Sequence, residues 1–173
     1  MLYYKKCLLG VGVIILFLAV TLFIFYPYRY VLSFQQPFTK EITAYIPIEE
    51  ADHFQIKFIH SVHLSEVLEE YQVKKGRIYP VQLIYEDTSI GMPSHAGEGE
   101  EFKAENGKYY ISNLQGSHDK INLKVGQVRA NHTIVYEQKS YVLKDYVGAG
   151  SFVTIAAVHT SNWKLWKGVN MRE

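Results

Sequence analysis

The sequence predicts an all-β domain carried on one N-terminal membrane helix. Three observations lead to this class: an uncharged run of 19 residues from Leu8 to Tyr26, a hydrophobic period of two through most of the remaining chain, and turn signals such as Asn106-Gly107. The 14 tyrosines and many β-branched residues suit pleated sheets. We therefore expect a single sandwich or small barrel of about eight to ten antiparallel strands.

The uncharged run is long enough to cross a bilayer, since a helix of this length spans roughly 28 Å. Five of the eight residues over 23–30 are aromatic, whereas signal peptidase requires small side chains there, so an uncleaved anchor is favoured over a cleaved signal. Cys7 precedes the run, which argues against a lipoprotein. Lys5 and Lys6 favour a cytoplasmic N-terminus and therefore an extracytoplasmic domain on a single-pass cell-membrane protein.

These features divide the chain into four parts. We expect a cytoplasmic N-terminus over 1–7, the anchor over 8–26, a short spacer over 27–40 and the β domain over 41–173. The formal net charge is +1, and acidic and basic residues are interspersed, so no basic stripe indicates nucleic acid as a partner.

Alternation of apolar and polar residues, together with turn signals, places the strands of the domain. Nine segments are predicted as strands: 54–62, 67–73, 79–85, 101–104, 108–112, 121–125, 133–138, 140–143 and 152–159.

The densest group of unusual polar residues surrounds His60 and Glu69. If the first two predicted strands form a hairpin around Leu64-Ser65, the register that turns both apolar faces inward pairs His60 with Glu69 and Phe58 with Tyr71. The imidazole and the carboxylate then face each other on the buried side.

Two interpretations of this pair remain open. A hydrogen-bonded or ionic pair that fixes the hairpin register is favoured, because a buried carboxylate needs a partner. The alternative is a polar pocket that binds a small ligand, or a general base with its orienting partner. Ser61 has the opposite parity, so a Ser-His-Glu triad is not expected, and we predict a protein that is not an enzyme.

The loop after the third strand contains Gly91, Met92 and Pro93. Gly91 allows a positive φ and Pro93 stiffens the chain, so a sharp bend is favoured over a loop that gates a pocket. His60, His63 and Glu66 have a spacing that aligns on a helix but divides between the faces of a strand. We therefore predict no metal and no cofactor.

Trp163 and Trp166 alternate with Lys164 and Lys167 near the end of the chain. Such a segment can enter the lipid headgroup region, but a segment that caps the core is favoured.

Three motifs together resemble the bacterial family known as domain of unknown function 1850. They are the strand Phe58 to Val62, the acid and aromatic pair Glu69 and Tyr71, and the loop Gly91-Met92-Pro93, within a likeness that extends from about Ile42 to Trp166. The family loop reads Gly-Ala-Gly-Met-Pro, whereas Ser89 and Ile90 occupy its first two positions here. The resemblance marks His60, Ser61, Glu69, Gly91, Met92 and Pro93 as the positions to test.

The resemblance also implies a cellular setting. Members of this family are small exported or membrane-anchored proteins, often encoded beside tripartite ATP-independent periplasmic (TRAP) transporters with TAXI-type solute receptors. We therefore expect a non-catalytic accessory of such a transporter, with the membrane and a permease or solute receptor as partners. The alternative is an envelope ligand-binding or sensing module with a polar pocket at His60 and Glu69.

Overall fold

The computed structural model describes residues 2–62, 64–88 and 91–173, with the backbone alone for residues 2–7. The helices are α1 (Leu2–Phe25), α2 (Leu143–Val147) and α3 (Asn162–Leu165). The strands are β1 (Arg29–Gln35), β2 (Ile42–Pro47), β3 (His53–Ile59), β4 (Glu66–Lys74), β5 (Arg77–Tyr85), β6 (Glu101–Glu105), β7 (Lys108–Ser112), β8 (Ile121–Lys124), β9 (Thr133–Tyr136), β10 (Lys139–Val142), β11 (Phe152–Thr160) and β12 (Val169–Asn170).

The strands form two sheets, which confirms the all-β class. A five-stranded sheet has the order β12-β2-β1-β11-β8, and a seven-stranded sheet has the order β10-β9-β3-β4-β5-β7-β6. Neighbouring strands are antiparallel except for the short β12, which runs parallel to β2. Buried residues from both sheets, such as Leu32, Phe34 and Ile155 on one and Phe54 and Ile56 on the other, share one main core.

All nine predicted strands are present, with ends that differ from the predicted ones by about three residues at most. The described residues contain three more strands, β1, β2 and β12. Two hairpin turns have the backbone that their sequences predict, because both central residues adopt positive φ. These φ values are 51° at Lys75 and 71° at Gly76, and 53° at Asn106 and 76° at Gly107.

The segment expected to be a spacer over 27–40 must be corrected. Residues 29–35 form β1, which lies between β2 and β11 and contains four consecutive buried residues, from Val31 to Phe34. Such a strand is covered on both faces, so apolar and polar residues do not alternate along it. Its sequence is therefore difficult to distinguish from a continuation of the apolar helix. Only 26–28 separate α1 from the sheet.

Helix α1 is the one described helix long and apolar enough to cross a membrane. Its span Leu8–Phe25 has a mean hydropathy of 3.0, and none of that span is buried in the protein. By length and composition it suits either a membrane anchor or a signal sequence.

The position of β1 in the core can be tested with two phenylalanines four residues apart. Phe34 is fully buried and Phe38 is 96% exposed, although both lie in the segment predicted as a spacer. Phe34→Ala should lower the free energy of unfolding by about 3–5 kcal/mol because it leaves a cavity. Phe38→Ala should change it by less than about 0.5 kcal/mol. Denaturant unfolding of the full chain in detergent measures both, and equal effects would contradict the buried position of β1.

Candidate functional site

The β3–β4 hairpin does not have the predicted register. Glu69 is paired with Ile56, Tyr71 with Phe54, and Val67 with Phe58, so the strands are displaced by four residues from the expected alignment. His60 follows the last residue of β3 and is not opposite Glu69. The prediction of a facing His60 and Glu69 pair is therefore wrong.

The displacement preserves the face on which every side chain lies, since four is an even number of residues. What differs is the loop. The predicted turn at Leu64-Ser65 is replaced by a wider loop, in which the His60 amide donates to the Ser65 carbonyl at 2.8 Å and the Leu64 amide donates to the His60 carbonyl at 3.0 Å. Ring stacking of Phe54 on Tyr71, with centroids 5.4 Å apart, accompanies the observed register.

The partner of Glu69 is Tyr71, two residues along the same strand. The Tyr71 hydroxyl donates to Glu69 Oε2 at 2.9 Å, and the tyrosine ring is buried. On β4, Val67 belongs to one apolar cluster with Tyr85 and Ile111, whereas Tyr71 belongs to the main core. The carboxylate of Glu69 therefore lies at the boundary between two apolar clusters, on the inner face of the strand.

This environment raises the pKa of Glu69 above its usual range. Burial is the largest cause, because it disfavours the charged carboxylate, and the Tyr71 hydrogen bond and the charge of nearby His118 act in the opposite direction. Burial beside Glu69 also raises the pKa of the Tyr71 hydroxyl, which stays protonated and remains a donor.

The sequence does not predict His118 as part of this site. It precedes β8, and its amide and carbonyl exchange hydrogen bonds with Ile78 of β5, at 2.7 and 2.8 Å. Nothing in the spacing of a lone histidine 49 positions after Glu69 signals this proximity, because it arises from an isolated bridge between β5 and the segment that precedes β8.

His60 approaches the second motif, the loop of Gly91, rather than Glu69. A Cβ atom built on Gly91 would lie 3.9 Å from His60 Nε2, and Gly91 has the positive φ, 92°, that its sequence predicts. The adjacent Ser61 is exposed in the turn. His63, Ser89 and Ile90, which belong to the predicted site region and loop, lie outside the described residues.

Met92 and Pro93 attach this loop to the seven-stranded sheet. Met92 and Phe58 both pack against the cluster of Val67, Tyr85 and Ile111. The Tyr85 hydroxyl, from β5, donates to the carbonyl of Pro93 at 2.5 Å. The loop is therefore held as a bend against the sheet, and the sequence motifs gather at the same end of the β3–β4–β5 unit.

The arrangement provides one protonatable carboxyl group with a fixed donor, but no assembled set of ligands. Within the described ranges, no group of three His, Cys, Asp or Glu side chains is placed to hold a metal ion. His132 is buried on the ring of Phe58, at 5.3 Å between centroids, and its Nδ1 accepts a hydrogen bond from the Gly126 amide at 3.0 Å. Burial lowers the pKa of His132, which suits this acceptor role.

Comparison of the sequence with known protein families identifies the family of this chain. The model of the family described as domain of unknown function (DUF1850) matches residues 54–143, just over half of the chain. The chain belongs to this family. No curated protein and no solved structure matches it.

The role of the Glu69–Tyr71 hydrogen bond can be tested by the pH dependence of the free energy of unfolding. Because the folded pKa of Glu69 lies above its unfolded value, the contribution of Glu69 to the stability of the wild-type protein should fall as the pH rises from about 4.3 through the folded pKa. Glu69→Gln keeps an oxygen acceptor for Tyr71 and removes the charge, so its stability relative to wild type should increase over this pH range. Denaturant unfolding across that range measures the difference, and parallel profiles would contradict it.

Tyr71→Phe removes the donor while keeping the buried ring. We expect a loss of about 1–2 kcal/mol above the folded pKa of Glu69, because the carboxylate loses its hydrogen bond, and a smaller loss below it, where Glu69 is protonated. Tyr110→Phe, at a half-buried tyrosine of β7, is the matched control and should show no such pH dependence. A loss for Tyr71→Phe that is constant with pH would contradict the coupling.

Proposed function

We propose that this protein is a membrane-anchored, extracytoplasmic and non-catalytic accessory protein of a TRAP-type solute transporter. The observation that carries the proposal is the junction between α1 and the domain. Only 26–28 separate the apolar helix from β1, an internal strand of the five-stranded sheet. If α1 is an uncleaved anchor, the domain is held at the membrane surface.

A second observation supports a docking role for the seven-stranded sheet. Its outer face carries a row of half-buried apolar side chains from three neighbouring strands, Leu68, Ile84 and Tyr110, which are aligned by the strand register. The Lys57–Glu66 ion pair, at 3.1 Å, borders this row. We name the three residues the outer apolar row. An apolar centre with a charged margin is typical of a protein interface.

The family match adds to this argument. The matched residues, 54–143, contain essentially the whole seven-stranded sheet and only one strand of the other sheet, β8. The family resemblance implies a transporter setting, so we assign the partner contact to this sheet and the membrane contact to the other.

The proposal predicts co-purification with a transporter subunit. The protein should be tagged at native expression, extracted in mild detergent and analysed by mass spectrometry for a permease or solute receptor. Leu68→Gln combined with Ile84→Gln should lower the recovery of that subunit by about tenfold or more, because it removes apolar contacts from the centre of the interface.

The matched control is Leu64→Gln combined with Val128→Gln. These residues are 60% and 84% exposed and lie outside the strands. The control should retain the partner. If the wild-type protein recovers no transporter subunit, the transporter assignment is wrong, and if both double variants behave alike, the outer apolar row is not the interface.

A ligand-binding or sensing role is the second candidate, and the raised pKa of Glu69 favours it. Carboxyl groups with perturbed pKa values are common at functional sites. The proposed ligand site would contain Glu69, Tyr71 and His118, and it would not include the predicted pairing of Glu69 with His60. A thermal-shift screen of carboxylates and amino acids on the full chain distinguishes the two roles: a shift that Glu69→Gln abolishes supports ligand binding, and no shift with any compound opposes it.

A further inference from the structure

A groove of about 650 Å³ lies beside the C-terminal end of α1. The loop before β2 and the segment of α3 form its walls, and the side chains that define its chemistry are Lys40, Glu41, Trp163, Lys164, Trp166 and Lys167. All the residues that line it lie outside the residues that the family model matches, and the groove belongs to the five-stranded side of the sandwich.

Contacts with α1 fix the groove at the level where the apolar helix ends. The rings of Phe25 and Trp163 have centroids 5.5 Å apart. Asn162 Nδ2 donates to the Phe23 carbonyl at 3.1 Å and to the Tyr28 hydroxyl at 2.6 Å. If α1 spans the bilayer, these contacts hold the groove at the depth of the lipid headgroups.

The aromatic side chains of the groove face outward. Trp163 is 57% exposed and Trp166 is 79% exposed, whereas Leu165 between them is buried and packs with Val31 and Ile42. Leu165 therefore fulfils the predicted capping role, and the two tryptophans do not. Phe38, in the loop that supplies Lys40, is also almost fully exposed. Grouped exposed aromatic residues mark an interaction surface, and tryptophan is enriched at the membrane interface.

The charges of the groove match an anionic surface. Three lysines, Lys40, Lys164 and Lys167, line it together with one acid, Glu41. Lys167 Nζ is 3.7 Å from Glu41 Oε1, which leaves an excess of positive charge. Lysines near a membrane surface are attracted to anionic lipids.

We propose that this groove docks the headgroups of anionic phospholipids in the leaflet from which α1 emerges. Trp163 and Trp166 lie in the interfacial layer, and the three lysines contact lipid phosphates. This inference rests on the anchoring role of α1 in the proposed function and is independent of the transporter partner.

The two tryptophans of the chain are both in the groove, so intrinsic fluorescence reports on it alone. The full chain should be reconstituted in vesicles of phosphatidylcholine, with and without phosphatidylglycerol, that contain lipids brominated either near the headgroup or near the acyl-chain end. We expect quenching by the shallow bromines to be roughly twofold or more stronger than by the deep ones. Trp163→Phe and Trp166→Phe each leave one reporter and should retain this order.

Charge is tested by access of acrylamide to the tryptophans. Phosphatidylglycerol should lower this access by roughly twofold, and Lys164→Gln with Lys167→Gln should abolish that difference. The control, Lys139→Gln with Lys144→Gln, removes the same charge from exposed positions outside the groove. It should preserve the effect of phosphatidylglycerol on acrylamide access.

Three outcomes would overturn the inference. The first is that brominated lipids do not quench the tryptophans, and the second is that acrylamide access to them is equal in both lipid mixtures. The third is that the tryptophans are protected from acrylamide in native membranes but not in vesicles, which would indicate a protein partner. Extraction with alkaline carbonate separates the two proposals: a protein that resists extraction but shows unquenched tryptophans retains its anchor and lacks the lipid groove. A protein that is extracted contradicts the anchor itself.

Discussion

The antiparallel pairing of β1 with β11 is the constraint on which the arrangement of this protein depends. Its register places Arg29 opposite Thr160, so the residue that opens β1 lies beside the residue that closes β11. Since α1 precedes β1 and α3 follows β11, this one pairing brings the end of the apolar helix to the tryptophan segment. Burial of Leu32 and Phe34 in the core makes the pairing costly to break.

The same constraint places the two ends of the groove region and most of the family-matched residues on different sheets. The five-stranded sheet contains β1, which follows α1, and β11, which precedes α3. The groove lies beside this sheet, between the segment of α3 and the loop before β2. The residues that the family model matches contain nearly the whole seven-stranded sheet, with Glu69 on β4, and the loop of Gly91. Because α1 joins only the five-stranded sheet, the outer face of the seven-stranded sheet lies away from that junction, as the proposed docking role requires.

The sequence predicted what depends on local pattern and missed what depends on distant contacts. Strands with one exposed face alternate, so β4, β5 and the hairpin at Asn106-Gly107 were predictable. The buried β1 has no alternation of apolar and polar residues, so its sequence predicts a spacer rather than a strand.

The β3–β4 register illustrates the same limit at the candidate site. Periodicity fixes which face Glu69 occupies, but it cannot distinguish registers that differ by an even number of residues. The choice is made by contacts across strands, such as the stack of Phe54 on Tyr71, and by the wide loop after His60. The approach of His118 to Glu69 depends in turn on a bridge to β5.

The strand edges of the domain narrow the ways in which a partner can bind. At the ends of the seven-stranded sheet, β6 is exposed throughout and carries Glu101, Lys103 and Glu105, and β10 is a four-residue strand with exposed Lys139. Short or charged edge strands oppose the addition of another strand, because a partner would have to accommodate those charges and would gain few hydrogen bonds. Strand addition is thus disfavoured at both edges, whereas the face with Leu68 and Ile84 offers apolar area without that cost. The proposed partner would therefore contact the face of the sheet rather than its edges.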